Sequence, residues 1–211
     1  MGNIGGTAVE KHQDTVLHIS LTMGRELLGE FFPILQKGFG VEARVPCTIK
    51  NLLCDQFGFS QPYVSERITT IFLDGKATDS IEESIVHESS IIALSAAMPG
   101  VVGATMRRGS YYASMRSAIT CTDKEEAGAC MEGMIKVKLF NLLLTELGPD
   151  FLKKGAIVTS SDLSDLLLKQ SDKLQQCEEV MLGGKPVAWL SLKQSDLFAH
   201  YETIKLFIAF T

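Results

Sequence analysis

Leu17-His18-Ile19-Ser20-Leu21 and Ile135-Lys136-Val137-Lys138-Leu139 are the segments whose reading decides the fold. In both, apolar and polar residues alternate with period two, which places one row of side chains in a core and the other at a surface. Both therefore read as half-buried strands. The segments that follow them keep the same order. Gln36-Lys37-Gly38 matches Lys153-Lys154-Gly155, and Leu27-Leu28-Gly29 with Pro33 resembles Leu143-Leu144 with Gly148-Pro149. Thr48-Ile49 with Leu52-Leu53 matches Asp162-Leu163 with Leu166-Leu167, and Leu73-Asp-Gly-Lys76 matches Leu182-Gly-Gly-Lys185. The second half is slightly shorter.

Within the first half, the region holding Gly24, Gly29, Pro33 and Gly38 reads as a turn that interrupts an apolar stretch. Val41 to Val45 reads as a second strand. Thr48 is placed to cap a helix whose face is Ile49, Leu52, Leu53 and Phe57, with Gly58 ending it. Ile68 to Leu73 is β-branched and aromatic, and enters Asp74-Gly75, a strong hairpin signal. Ser90 to Met98 is the last strand before Pro99-Gly100. In the second half, Ala156 to Val158 reads as a strand. Ser160 or Ser161 caps a helix with Leu163, Leu166 and Leu167 on one face. Glu179 to Leu182 leads into the Gly183-Gly184 turn, and Thr203 to Phe210 alternates as the final strand. The chain thus divides into residues 14–100, a connector at 101–132 with a short helix near Lys124 to Met131, and residues 133–211.

Each half runs strand, turn, strand, helix, hairpin, final strand. That order resembles the β-grasp, or ubiquitin-like, fold, and within it the sulfur-carrier group: the thiazole-biosynthesis carrier and the small subunit of molybdopterin synthase. The residues carrying the likeness are Thr48-Ile49 with Leu52-Leu53, the Ile71-Phe-Leu-Asp-Gly-Lys76 hairpin, and Ile91 to Met98 running into Pro99-Gly100. The resemblance implies an α+β chain of two tandem β-grasp-like halves, each a mixed sheet with one packed helix. Sulfur carriers end in a free Gly-Gly whose carboxylate is activated. This sequence ends Ile208-Ala-Phe-Thr211, and Gly183-Gly184 sits inside a hairpin, so carrier chemistry is not expected.

The bulk properties narrow the class. A hydrophobic share of 45% is too high for a disordered chain. A net charge of −5 without a basic tail argues against nucleic acid or an anionic membrane as partner. No run of about 18 apolar residues is present. No apolar leader segment is seen at Met1 to His12, and Gly6 departs from the myristoylation pattern. Five cysteines without a CxxC spacing, and four scattered histidines, point to reduced thiols in the cytoplasm rather than to a metal site.

No nucleophile elbow, phosphate loop, dinucleotide fingerprint or zinc-protease motif occurs, and no cofactor is expected. Cys121 and Cys130 flank the acidic stretch Asp123 to Glu126, where the expectation is inert thiols. Glu82-Glu83 and Glu178-Glu179 read as solvated loop charges. His18 is expected on the polar side of its strand, and Trp189 in packing. The local functional signal is the connector. Arg107, Arg108, Tyr111, Tyr112 and Arg116 combine guanidinium forks suited to carboxylate or phosphate with rigid aromatic surface. The competing reading of these residues is a linker whose tyrosines pack and whose arginines are solvated or paired.

Two functions follow as expectations. The first is a non-catalytic interaction module binding a protein partner or a second copy of itself through a sheet face or edge. The second is a site for an anionic small molecule, or an enzyme site, between the halves and lined by the connector.

Overall fold

The structure is a computed structural model that describes residues 16–96, 100–109, 111, 130–192, 198 and 200–211. The strands are β1 (Leu17–Met23), β2 (Phe39–Val45), β3 (Cys47–Thr48), β4 (Thr70–Leu73), β5 (Lys76–Ala77), β6 (Ile85–Val86), β7 (Ile91–Ser95), β8 (Met131–Phe140), β9 (Ala156–Thr159), β10 (Glu179–Leu182), β11 (Lys185–Pro186) and β12 (Thr203–Phe210). The helices are α1 (Phe32–Lys37), α2 (Gln61–Glu66), α3 (Gly100–Met106), α4 (Leu143–Glu146), α5 (Gly148–Lys154), α6 (Ser160–Lys169), α7 (Ser171–Leu174) and α8 (Trp189–Leu192). A 3-10 helix (Arg25–Phe31) precedes α1, and a π-helix (Asn51–Gln56) follows β3. The fold is α+β, and the expected strands are present.

The stretch read as a turn is helical instead. Pro33 opens α1 and Gly38, at φ 110°, closes it, with its N–H donating to the Ile34 carbonyl at 2.9 Å. Pro149 and Gly155, at φ 99°, frame α5 in the same way. Proline at a helix start and glycine past its end are boundary signals, which the sequence reading took for interruptions. Both hairpins form: Asp74-Gly75 and Gly183-Gly184 all have positive φ, as a tight two-residue turn requires. The Thr48 hydroxyl accepts from the Asn51 N–H at 3.1 Å, as expected of a cap. The cap of α6 is Thr159, which accepts from the Asp162 N–H at 3.2 Å, one residue before the serines proposed for it. Of the helix expected near Lys124 to Met131, residues 124–129 lie outside the described residues, and Met131 begins β8 instead, because its backbone pairs with Val45.

The strands join in one mixed ten-stranded sheet, ordered β11-β10-β1-β12-β9-β2-β8-β7-β4-β5, while β3 and β6 pair separately. Each half was expected to hold a sheet of its own. Instead the first strand of each half is lodged among strands of the other. β1 runs parallel to β12 from Leu17↔Ile204 to Met23↔Phe210, with β10 antiparallel on its other flank. β8 lies between β2, antiparallel from Phe39↔Val137 to Val45↔Met131, and β7, parallel from Ile91↔Lys136 to Ser95↔Phe140. The alternating pattern dictates which side chains face the core but not which strand lies alongside, so strands of equal pattern can be exchanged. The two half-sheets meet at Gly40↔Ile157, where a Cβ on Gly40 would stand 3.1 Å from the Ile157 Cβ.

One face of the sheet is covered. The first half's α1 lies on β8, and α5 lies on β12. Phe151 of α5 meets Phe39 at 5.2 Å, Phe57 at 5.1 Å and Phe59 at 5.9 Å between ring centroids, so the aromatic centre of the core draws on both halves. At its margin the Arg67 guanidinium grips the Glu146 carboxylate, with Nε donating to both oxygens at 2.9 Å, and the Tyr63 hydroxyl donates to the same group at 2.7 Å.

The exchange predicts that fragments 1–111 and 112–211 each lack cooperative unfolding alone, and that mixing them restores the far-ultraviolet dichroism and sharp melt of the intact chain. Two independently folding fragments would refute it. A second prediction concerns acid. The hydrogen bonds from Arg67, supplemented by Tyr63, hold the Glu146 carboxyl below its ordinary value of 4.5. A lowered folded pKa contributes stability that is present above that value and lost as pH falls through the folded one. Glu146→Gln should therefore flatten the fall of Tm below about pH 4.5, and an unchanged acid limb in thermal melts would show that this clamp does not matter.

Candidate functional site

On the side opposite α1 and α5, the strands β4, β7 and β8 carry Phe72, Ile91, Ala93 and Phe140 among polar residues, where β1 carries His18, Ser20 and Thr22. Phe72 on β4, Ala93 on β7 and Lys138 on β8 stand in register as one row, and Thr70, Ser95 and Phe140 form the next. The small side chains of Ala93 and Ser95 leave a floor, and Phe72, Phe140 and Ile91 rise around it. The result is a trough of about 720 Å³, with the Asp74-Gly75 turn at one end and Asn141 at the other. Ile91 is 38% exposed although flanked by apolar neighbours.

The polar groups at the trough ends are already engaged. Asp74 accepts from the Ile91 N–H at 2.6 Å and from the Ser90 hydroxyl at 3.0 Å. Asn141, held at φ 56°, donates to the buried Ser95 hydroxyl at 2.9 Å. Lys138 differs. Among the described residues it takes part in no ion pair, so its ammonium stands at the rim of an apolar trough. Chemically, this arrangement suits capture of an apolar group.

The connector residues are placed differently from one another. Arg108 is turned inward: its Nη2 donates to the Val64 and Ile68 carbonyls at 2.6 Å each, and its backbone N–H donates to Thr69 at 2.8 Å. It therefore pins the end of α2. Burial pushes its guanidinium pKa down, against the pull of Glu82 and Asp79. Arg107 is exposed and shares a hollow of about 580 Å³ with Arg108, Glu66, Asp79 and Glu82, three carboxylates beside two guanidiniums. Tyr111 is 89% exposed. Tyr112 and Arg116 lie outside the described residues, as does Cys121.

Other sequence candidates take structural places. The Cys130 thiol donates to the Pro46 carbonyl at 3.0 Å, and burial pushes the Cys177 thiol up to about 11, away from reactive thiolate. His18 sits edge-on to Phe207 at 5.8 Å. Trp189 packs against the core. Glu82 approaches Lys50 at 3.8 Å, and Glu178 accepts from the Thr211 hydroxyl at 3.1 Å. Among the described residues no group of three His, Cys, Asp or Glu side chains is gathered to hold a metal.

The trough residues were not singled out from sequence, but a signal for them exists. Ile71-Phe-Leu73 and Ile91-Ile-Ala-Leu94 are apolar without alternation, the pattern of strands with something to bury on both faces. No family model matches the chain, and neither a curated protein nor a solved structure matches it.

Arg108 is expected to act on stability. Arg108→Met should cost about 2 kcal/mol through the two carbonyls left without their donor, whereas Arg107→Ala should stay within about 0.5 kcal/mol of the parent, as surface changes do. Urea titration checks both, and equal effects would dissolve the distinction.

Proposed function

We propose that this chain is a protein-interaction module, a strand-exchanged tandem of β-grasp-like units that binds its partner on the face of the sheet opposite α1 and α5. The supporting observation is the trough of Phe72, Ala93, Phe140 and Ile91. Apolar surface left in water costs about 25 cal/mol per Å², and large apolar patches at a surface mark interaction sites. The edges are poor alternatives. β5 and β11 are two-residue strands, each bearing a lysine, and β11 ends in Pro186, which has no N–H to offer a further strand. Short, charged, proline-bearing edges resist strand addition, which leaves the face.

The β-grasp resemblance contributes the mode of binding and not carrier chemistry, since Gly183-Gly184 is the turn between β10 and β11. The repeated order of elements supports the duplication. We also place the protein in the cytoplasm. The four described cysteines are free, which suits a reducing compartment. No helix among the described residues is long and apolar enough to cross a membrane. An anion clamp at the connector has less support, because Arg108 is committed to backbone carbonyls and Arg107 looks onto acids.

A photo-crosslinking side chain tests this. Placed at Ile91, it should trap a discrete protein from source-cell extract; placed at His18, on the same face but in the other half-sheet, it should not. No product at position 91, or the same products at both, would refute the proposal.

A further inference from the structure

The chemistry of the trough describes the partner's contacting segment. We infer that it is extended, with a bulky aromatic or aliphatic side chain beside acidic residues. This rests on the interaction reading above and deepens it.

Three observations carry it. The floor and walls are apolar and the volume, about 720 Å³, lies within the range of about 300–1,000 Å³ of clefts that enclose a bound group. The bulky side chain belongs there. The formal charges nearby are unequal in availability: Asp74 has both carboxylate oxygens occupied, whereas Lys138 has no ion-pair partner among the described residues. Lys136 lies two positions earlier on the same face of β8, within electrostatic range of Asp162.

The third observation locates the stems of these lysines. A Cβ on Gly38 would fall 3.0 Å from carbon atoms of both lysine stems, so the bare glycine backbone is what lets the two stems lie side by side. Residues i and i+2 of a strand are about 6.6–6.8 Å apart, so the two lysines leave the β8 backbone at the repeat of a second extended chain. Acidic residues at i and i+2 of the partner can meet them while the apolar residue reaches the trough. Against the net charge of −5, a cationic rim is a local exception. The same net charge opposes a second copy of this chain as the occupant.

Random octapeptides displayed on phage and selected on the full-length protein provide the test. Enriched peptides should pair an aromatic or large aliphatic residue with Asp or Glu. Synthetic versions should bind Lys138→Glu about tenfold more weakly, and should be lost on Ala93→Trp, which fills the floor. Selection on the Lys136→Glu/Lys138→Glu variant should turn the enriched peptides basic. Lys138 is a rim residue, so its variant keeps the test valid if Ala93→Trp fails to fold, as dichroism will show. Enriched peptides that need the trough but carry no acidic excess, or that ignore Lys138→Glu, overturn this inference alone. No trough-dependent peptide at all overturns the interaction reading with it. Free 2-naphthoate binding in the trough without any peptide enrichment overturns both in favour of a small acid.

Discussion

The parallel pairing of β1 with β12, and the wedging of β8 between β2 and β7, hold the rest of the structure in place. Each pairing joins backbone groups from opposite halves, so neither half can satisfy its buried N–H and C=O groups without the other. The helices follow the exchange. α1 covers a strand of the second half, and Phe151 gathers Phe39, Phe57 and Phe59 of the first. The joint itself, Gly40 against Ile157, works because glycine brings no Cβ to a place with little room for one.

The two half-sheets present different residues in rows of equal placement. The row Phe72–Ala93–Lys138 corresponds in position to Met181–Ser20–Phe207 in the other half-sheet. One row has a small apolar centre between an aromatic ring and a cation. The other has a hydroxyl at its centre, and its phenylalanine is already engaged with His18. The shared core maintains both, so the outward residues of one half-sheet are free to specialise without destabilising the chain.

The elements were largely legible because period two and its caps are local. Leu17, Ile19 and Leu21 are buried and His18 is exposed, as their alternation required, and Asp74-Gly75 turns where only residues tolerant of positive φ can. Strand neighbourhood was not legible, since Leu17-His-Ile-Ser-Leu21 would sit equally well beside any strand with a matching apolar row. Pro33 and Gly38 misled because each both breaks and bounds a helix, and only the intervening hydrogen bonds decide which. The trough was missed for a different reason. Arginine and tyrosine carry a binding signal in their own chemistry, whereas Phe72 and Ile91 read only as strand residues until the register sets them side by side.

That misdirection has a physical lesson in Arg108. A guanidinium in a glycine-rich connector has the chemistry to clamp an anion, yet the same fork fits the unsatisfied carbonyls at a helix end, and here the nearby end of α2 takes it. The acids around it, Asp79 and Glu82, make the pocket more hospitable to the guanidinium and less so to an incoming anion. Lys138 has the opposite situation: it lines a trough walled by Phe72, Ile91 and Phe140 and takes part in no ion pair among the described residues. Of the two cations, Arg108 is held by the Val64 and Ile68 carbonyls and Lys138 has no ion-pair partner among the described residues, which is why the proposed reading gives recognition to Lys138.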